Sequence, residues 1–571
     1  MFILSVCAMT AMADDEKVPA FPGAEGHARY AVNAGRGGVV RHVTTLEDNG
    51  KTSLTGSLRW AVNGSANKIV VFDVGGTIEL ASDLKIGANT YIAGQTAPDP
   101  GITLRYYTVR PNGDNICIRY IRIRRGQEVD VNDGADAIWT RQKTAMILDH
   151  CSVSWSIDEI ASFYDNNNFT MQWCTLSEAL ANAGHDKGAH SYGGIWGGKL
   201  ASFHHNMIAH TQNRTPRFNG ARYMWSGYTS NKDYSTYKWD NYVQAENVDF
   251  RNCLIYNWGT GGCYGGPGGG YINMVNNYYK AGPATTHKTR VTQVTVGASG
   301  NSTNGGLVGM TSRYFINGNY VAAADNPENY DWQGVAYDDG TYLIDGYRCS
   351  VDTLNMYGDT VTHYNNMNGD ACVRIKLEGP CPTGDVTTHD ATTAYEKILS
   401  YCGASLYRDA EDKRYMEEAE NGTATYTGSV TGQAGIIDLV SDIGGYTALE
   451  STSRPDGYDT DGDGMPDEWE TLYGLDPNDA SDGKTYTLDQ RGWYTNVEVF
   501  INGLVEDIMK EENADAIDAV DEYYPVITSG IRTVTSDGQR TDAPKYNPAG
   551  QRVNDTYRGI VIQNGRKYIR R

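Results

Sequence analysis

No apolar run in the 571 residues is long enough to span a bilayer, so a membrane-spanning helix is excluded. Long stretches of helical periodicity are scarce, which argues against an all-α fold. Cysteine does not supply a framework either. Nine cysteines follow Ala13, an odd number scattered through a large chain, so at least one thiol is unpaired. Cys372 and Cys381 are close enough in sequence to be a candidate bridge. Tight two-residue turns are few, which disfavours the hairpins of a β-sandwich or propeller. Positive charge is also short: 48 Lys and Arg face 70 Asp and Glu, a net charge of −22. Non-specific attraction to nucleic acid or anionic membrane is thereby excluded. Any anionic ligand must be met by local arginines or a bridging cation.

What is present is glycine (65), tyrosine (40) and a 40% hydrophobic content in a chain able to bury a large core. That composition favours a β-rich domain with accessories. The start, "MFILSVCAMTAMADDEK", reads as a short apolar segment ending at Ala11-Met12-Ala13, a signal-peptidase-like site that lacks the usual basic flank. A lipoprotein reading through Cys7 is weaker, because Val6 is bulky where a small residue is expected. The expectation is an exported protein: secreted, periplasmic or held at the cell surface.

Short strands recur as "MILDHCSVS", "FTMQWCTLS", "ASFHHNMIA", "VDFRNCLIY", "INMVNNYYK" and "YFINGNYVA". The sixth residue of each is Cys or Asn: Cys151, Cys174, Asn206, Cys253, Asn277 and Asn319. Their intervals are 23, 32, 47, 24 and 42 residues. A period in the low twenties, lengthened by insertions, is the signature of a parallel β-helix. Equivalent residues then stack at about 4.8 Å, and the asparagines could ladder at the turns. The segment from Asp390 to Gly422 has helical spacing. The acidic "DTDGDGMPDEWETLYGLDPNDASDG" from Asp459 leads into another helix. The division expected is a signal peptide at 1–13, a β-helix domain at 14–450, a calcium-loop region at 451–510, and a linker with a sorting-like tail at 511–571.

"MILDHCSVS", "HHNMIAHTQNRTPRF" and "DFRNCLIYNW" resemble the polysaccharide lyase family 1 pectate lyases. "FPGAEGHARY", "GSLRWAVN", "FDVGGTIEL", "YIAGQTAPDPGITL" and "GIIDLVSDIGGYTAL" are similar to a bacterial branch of that family, and the likeness covers roughly residues 20–505. The resemblance implies an all-β, right-handed parallel β-helix. It also implies a Ca2+-dependent enzyme that cleaves polygalacturonate by β-elimination, with the pectic polysaccharide as partner and the protein working as a monomer.

The same resemblance implies site residues. Arg214 occupies the place of the family's proposed base, ten residues after His204. Arginine stays protonated in proteins, so a base role needs a crowded cationic site at alkaline pH; otherwise Arg214 only stabilises charge. The family's second arginine would fall on Asn219. Arg217 either takes over that contact with a substrate carboxylate or pairs with a coil carboxylate. Asp136 matches one calcium ligand, and another falls on Gly134, beside Asp133. Asp158 and Glu159 lie close to the next, while Ser162 and Phe163 stand where a further carboxylate is usual. For the cation near the substrate carboxylate the candidates are His190 and Lys187. Asp149, His150, His204 and His205 are read as structural.

From spacing alone, Asp459, Asp461, Asp463, Gly464, Asp467 and Glu470 fit positions 1, 3, 5, 6, 9 and 12 of an EF-hand-like loop, which points to calcium. A pectin lyase, a glycoside hydrolase using Asp158 and Glu159 as a carboxylate pair, and a non-catalytic carbohydrate-binding β-helix remain the alternatives. The hydrolase leaves Arg214 unexplained. The binding module explains only the repeats and aromatics.

Overall fold

The structure is a computed structural model that describes residues 17–131, 134–220, 246–266, 270–295, 312–337 and 376–527. It also describes the shorter segments 347–349, 353–354, 360–361, 372–374, 544–548, 551–554, 556–563 and 566–570. The signal-like start and Asp133 lie outside these residues.

The chain winds as a right-handed parallel β-helix of three sheets. Sheet A runs from Val39–Val43 through Thr144–Asp149 to Arg313–Asn317, and sheet B from Leu84–Ile86 through Ile138–Arg141 to Val335–Tyr337. Sheet C runs from Val74–Glu79 through Ser152–Ser154 to Tyr320–Val321. Each coil visits B, A and C in turn, and neighbouring coils pair in parallel. Two long strands, Ala161–Gln172 and Ile195–His204, turn the corner from B to A and fuse those sheets into one of 17 strands. Alternating burial along Leu84–Ile86 and Ile138–Arg141 sends apolar side chains inward and Lys85, Trp139 and Arg141 outward. Inside, Trp196 stacks on Phe203 with centroids 4.5 Å apart, and Phe163, Phe169 and Phe250 continue the core.

The turn from A to C explains the repeat. Ser152 pairs with Thr175, which places Cys151 and Cys174 on adjacent coils. Asn206 accepts from the Cys174 N–H at 2.9 Å, Asn277 from Cys253 at 2.9 Å, and Asn319 from Asn277 at 3.0 Å. The amide groups of these asparagines donate in turn to Met171, Phe250 and Met274 carbonyls. Each side chain thus satisfies backbone groups that a turn would otherwise leave buried and unpaired. The residue just before this position is left-handed in coil after coil: Tyr120, His150, Trp173, His205, Asn252 and Asn276. Its rings form a stack, with centroid spacings of 4.7, 6.1 and 4.3 Å from Tyr120 to His205.

The expected helices are present at Ala391–Tyr401 and Ala410–Asn421, capped by Asp390 and Asp409. They cover sheet C, with Ile398, Tyr415 and Met416 packed on Met207 and Leu254. Helices Asp467–Tyr473, Asn496–Gly503 and Glu506–Glu512 cover the start of sheet A, where Trp469, Phe500 and Met509 share a core with Ile69, Val71 and Ile147. Region 451–510 therefore packs on the outer face of sheet A, in a cluster distinct from the core inside the β-helix. Cys381 is a buried free thiol, so the candidate bridge to Cys372 is absent. The tail forms a small antiparallel sheet between Lys545–Tyr546 and Arg566–Arg570. Among the described residues, no helix is long and apolar enough to cross a membrane.

Candidate active site

The residues that enter sheet B are stacked coil upon coil. Glu159 pairs in parallel with Tyr192 and Tyr192 with Asn213, while the Ala137 N–H donates to the Glu159 carbonyl at 3.1 Å. Asp136, Glu159, Tyr192 and Arg214 therefore reach one edge of the sheet. There Asp136, Asp158 and Glu159 bring carboxylate oxygens within 4.8 Å of one another. Asp136 is buried, and its Oδ1 accepts the Glu159 N–H at 3.2 Å. Burial, reinforced by Asp158, holds its carboxyl well above the usual carboxylate range. Asp158 Oδ1 is buried with no hydrogen bond of its own. Ser162, at a position where a carboxylate was usual, hydrogen-bonds Asp136 instead, and Phe163 belongs to the core.

Arg214 has a left-handed backbone (φ 58°), held by its N–H donating to Asn213 Oδ1 at 2.8 Å. Its guanidinium pairs with Glu159 and lies over the Tyr192 ring, 4.2 Å from the centroid. The predicted base and a predicted metal ligand are thus direct partners. Arg217 faces outward from strand Asn213–Phe218, 5.7 Å from the Tyr264 ring centroid. Burial, then Arg214, lowers its pKa, and no carboxylate pairs with it among the described residues. The coil-pairing alternative for Arg217 is accordingly not what this geometry shows. Asn219 is buried and donates to Glu246 Oε1 at 3.0 Å, so an amide–carboxyl pair stands where a second arginine was sought.

His190 faces Asp158 with its Nε2 3.8 Å from Oδ1, and its Nδ1 meets the Gly188 carbonyl at 2.9 Å. It stacks on His185 with centroids 3.5 Å apart, and His185 Nε2 lies 3.5 Å from Asp158 Oδ2. Sequence reasoning missed His185, although its spacing to His190 in "HDKGAH" was a signal. Lys187 is exposed; its backbone N–H donates to His185 Nδ1 at 3.0 Å. His204, His205 and His389 form a buried chain of imidazoles at 3.0 and 2.9 Å, away from the carboxylates that face Arg214.

A second acidic centre lies at the loop. Asp459, Asp461 and Asp463 form one group, and Asp463, Glu470 and Asp482 another. Glu470 is fully buried with neither carboxylate oxygen hydrogen-bonded. Burial and the surrounding like charges push Glu470 up to about 9 and Asp463 to about 7. Orphaned carboxylates of this kind suit a hard cation. Asp467 is not in either group, since its oxygens accept from the Thr460 N–H at 2.7 Å and hydroxyl at 2.6 Å. Asp482, which sequence spacing did not reach, takes a place beside Glu470. His42 ties the loop to the first coil, 3.5 Å from Asp459 and 2.9 Å from Asp73.

The site is thus a carboxylate cluster facing an arginine on the outer edge of a parallel β-helix. No protein-family model matches the chain. Relatives do. A probable pectate lyase C from Aspergillus terreus is 33% identical over 496 residues, covering 85% of this chain and 94% of the relative. Another from Aspergillus flavus is 33% identical over 495 residues with the same coverage. The chain belongs to the pectate lyase family. Among solved structures, a thermostable pectate lyase aligns with TM-score 0.41 at 14% identity, covering 68% of this chain and 98% of that one. A pectate lyase from Bacillus sp. N165, solved with trigalacturonate, aligns at 0.36 and 13%, covering 66% and 98%. Those overlaps are too loose to add to the topology read from the strands.

Proposed function

We propose that the protein is a calcium-dependent pectate lyase that cleaves polygalacturonate by β-elimination, releasing 4,5-unsaturated oligogalacturonides. The observation that carries the reading is the meeting of Arg214 with Asp136, Asp158 and Glu159 on one edge of sheet B. The three carboxylates, with a buried Asp158 oxygen that accepts no hydrogen bond, fit calcium. Asp136, Asp158 and Glu159 would hold it, and the bound ion would supply positive charge beside the uronate carboxylate at the cleavage point.

The proton leaves C5, the C5–H electron pair forms the C4=C5 double bond, and the C4 glycosidic oxygen departs and takes up a proton. Arg214 is the group assigned to C5. Its guanidinium is paired with Glu159 and arginine is ordinarily protonated, so a base role requires that pairing to loosen and the medium to be alkaline. Arg217, whose guanidinium has no carboxylate partner among the described residues, is the group assigned to the substrate carboxylate. His190 orients Asp158, and Lys187 stands at the rim. The Asp459–Glu470 loop, completed by Asp482, is assigned a calcium ion that stabilises the fold. We assign an extracellular, monomeric enzyme, in keeping with the signal-like start.

The test is polygalacturonate with calcium or with chelator, followed by ultraviolet absorbance of the unsaturated product. Absorbance that rises with calcium and stops with chelator is expected. Chain cleavage without that absorbance would indicate hydrolysis and overturn the reading. Equal rates on methylated pectin with chelator would indicate a pectin lyase.

A further inference from the structure

Two histidines close on Asp158 from a single turn. That turn is pinned by the Gly188 N–H donating to the His185 carbonyl at 2.9 Å and the His190 N–H to the Ala181 carbonyl at 2.8 Å. Gly188 is left-handed (φ 90°), which lets the chain reverse within a few residues. Both rings are buried and stacked, with centroids 3.5 Å apart and planes 15° from parallel. His185 Nε2 lies 3.5 Å from Asp158 Oδ2, and His190 Nε2 lies 3.8 Å from Oδ1. These separations are too long for hydrogen bonds, which fall at about 2.7–3.2 Å. They match donors arranged around a shared ion: with bonds of about 2.1 Å, the ligands of a tetrahedral site sit roughly 3.4 Å apart. One donor atom from each of Asp158, His185 and His190 lies within 4.8 Å of the others. Asp158 Oδ1 is buried and accepts no hydrogen bond.

His190 is prepared as a ligand. Its Nδ1–H donates to the Gly188 carbonyl at 2.9 Å, so the neutral ring turns the Nε2 lone pair towards Asp158. A lone pair facing a carboxylate oxygen is repulsive unless a proton or a metal ion lies between them. Metal-binding histidines donate their other ring N–H in this way. His185 has to adapt. Its Nδ1 accepts the Lys187 N–H at 3.0 Å, which puts the proton of the neutral ring on Nε2. When Nε2 takes a metal, that proton passes to Nδ1, and the N–H of exposed Lys187 turns to solvent. We infer that Asp158, His185 and His190 form a site for a divalent transition ion of the zinc class, distinct in its donors from the all-carboxylate calcium set. Imidazole nitrogen suits zinc, cobalt and nickel, whereas calcium takes oxygen. Three protein ligands leave a fourth position for water. Asp158 belongs to both sets, so an ion held by the imidazoles withdraws it from Asp136 and Glu159. On the calcium-dependent reading of the centre, on which this consequence rests, zinc is an inhibitor that excess calcium relieves.

The probe is cobalt(II), added to the calcium-free full chain and followed by visible absorbance and equilibrium dialysis. The expected result is a tightly bound equivalent with the intense bands of a four-coordinate ion, displaced by equimolar zinc. No binding, or only the weak bands of six-coordinate cobalt, overturns the assignment, and this arm needs no variant. Calorimetric zinc titration then compares wild type with His185→Gln, His190→Gln and His42→Gln, the last a control at another histidine set between carboxylates. In folded His185→Gln and His190→Gln the zinc Kd should rise by more than the roughly 10–100-fold that loss of a supporting hydrogen bond costs. In His42→Gln it should stay at the wild-type value. Tight binding that survives in both turn variants, or that is lost with His42, overturns the site. Turnover is read separately. Zinc that fills the site without slowing polygalacturonate cleavage, or slows it equally in His185→Gln, overturns the sharing of Asp158. If the wild type does not turn over polygalacturonate at all, the reading of the centre fails, and the cobalt and zinc titrations alone decide the site.

Discussion

Replacing Asp482 by Asn removes one negative charge from the loop centre while keeping its size. In the metal-free protein that change relieves repulsion on Glu470 and Asp463, both of which are pushed up by burial and like charges. The metal-free melting temperature of Asp482→Asn should therefore rise above that of wild type. Calcium should stabilise the wild type more than the variant and so offset that advantage. A ligand at 100 times its Kd stabilises the native state by about 2.7 kcal/mol. Each kcal/mol is worth roughly 2–4 °C in a domain of 150–250 residues, and less in a chain of this size. A calcium-induced rise of several degrees is thus expected for wild type, and most of it should be lost in Asp482→Asn. Asp467→Asn is the control, because Asp467 is spent on Thr460. It should keep the calcium response while losing some of the loop's own stability. Differential scanning calorimetry with calcium and with chelator reads all three proteins. If Asp467→Asn loses the calcium response and Asp482→Asn keeps it, the ligand set drawn from the structure is wrong.

Two other perturbations separate the centre from the scaffold. Asp136→Asn weakens the carboxylate cluster without touching Arg214, so turnover should fall and be partly restored by excess calcium; a loss that no calcium concentration relieves would point to misfolding or a direct role. The buried imidazole chain sets an acid limit on stability. Burial lowers the His204 pKa to about 3 and carries His205 well below its ordinary value. Because the unfolded histidines take up protons near 6.5, their contribution is complete above that pH and is lost as pH falls towards 3. Each histidine adds at most about 1.4 kcal/mol of destabilisation per pH unit in that window. Denaturant titrations at several pH values should show a shallower slope in His204→Gln, and an unchanged slope would contradict the account.

The parts of the fold that repeat were legible because a coil is short and its constraints are local. The Cys or Asn at the sixth position marks the same turn each time, and Asn206, Asn277 and Asn319 form the ladder their spacing implied. The His-His and Asp-His pairs read as structural have a cause that sequence alone did not supply. His150 and His205 occupy the left-handed position of that turn and stack on Trp173. The centre was legible where it lies on the coil edge, at Asp136, Asp158, Glu159 and Arg214. Groups brought in by insertions were not. His185 folds back onto Asp158 from a loop, and Asp482 meets Glu470 across a turn of the accessory helices. The pairing of Arg214 with Glu159 was equally hidden, because the two are adjacent only once the coil containing Tyr192 is wound between them. Periodicity reports stacking; it does not report which side chains lean across a coil to meet.

The central claim, that Arg214 performs the chemistry at C5, is tested most directly by turnover of polygalacturonate by folded Arg214→Lys at saturating calcium. Lysine keeps a positive charge but loses the planar fork and places its nitrogen elsewhere. The account predicts that kcat falls by orders of magnitude while KM changes little, with circular dichroism and the calcium-induced melting shift of the loop unchanged. A folded Arg214→Lys enzyme that turns over polygalacturonate at a rate near wild type would contradict it.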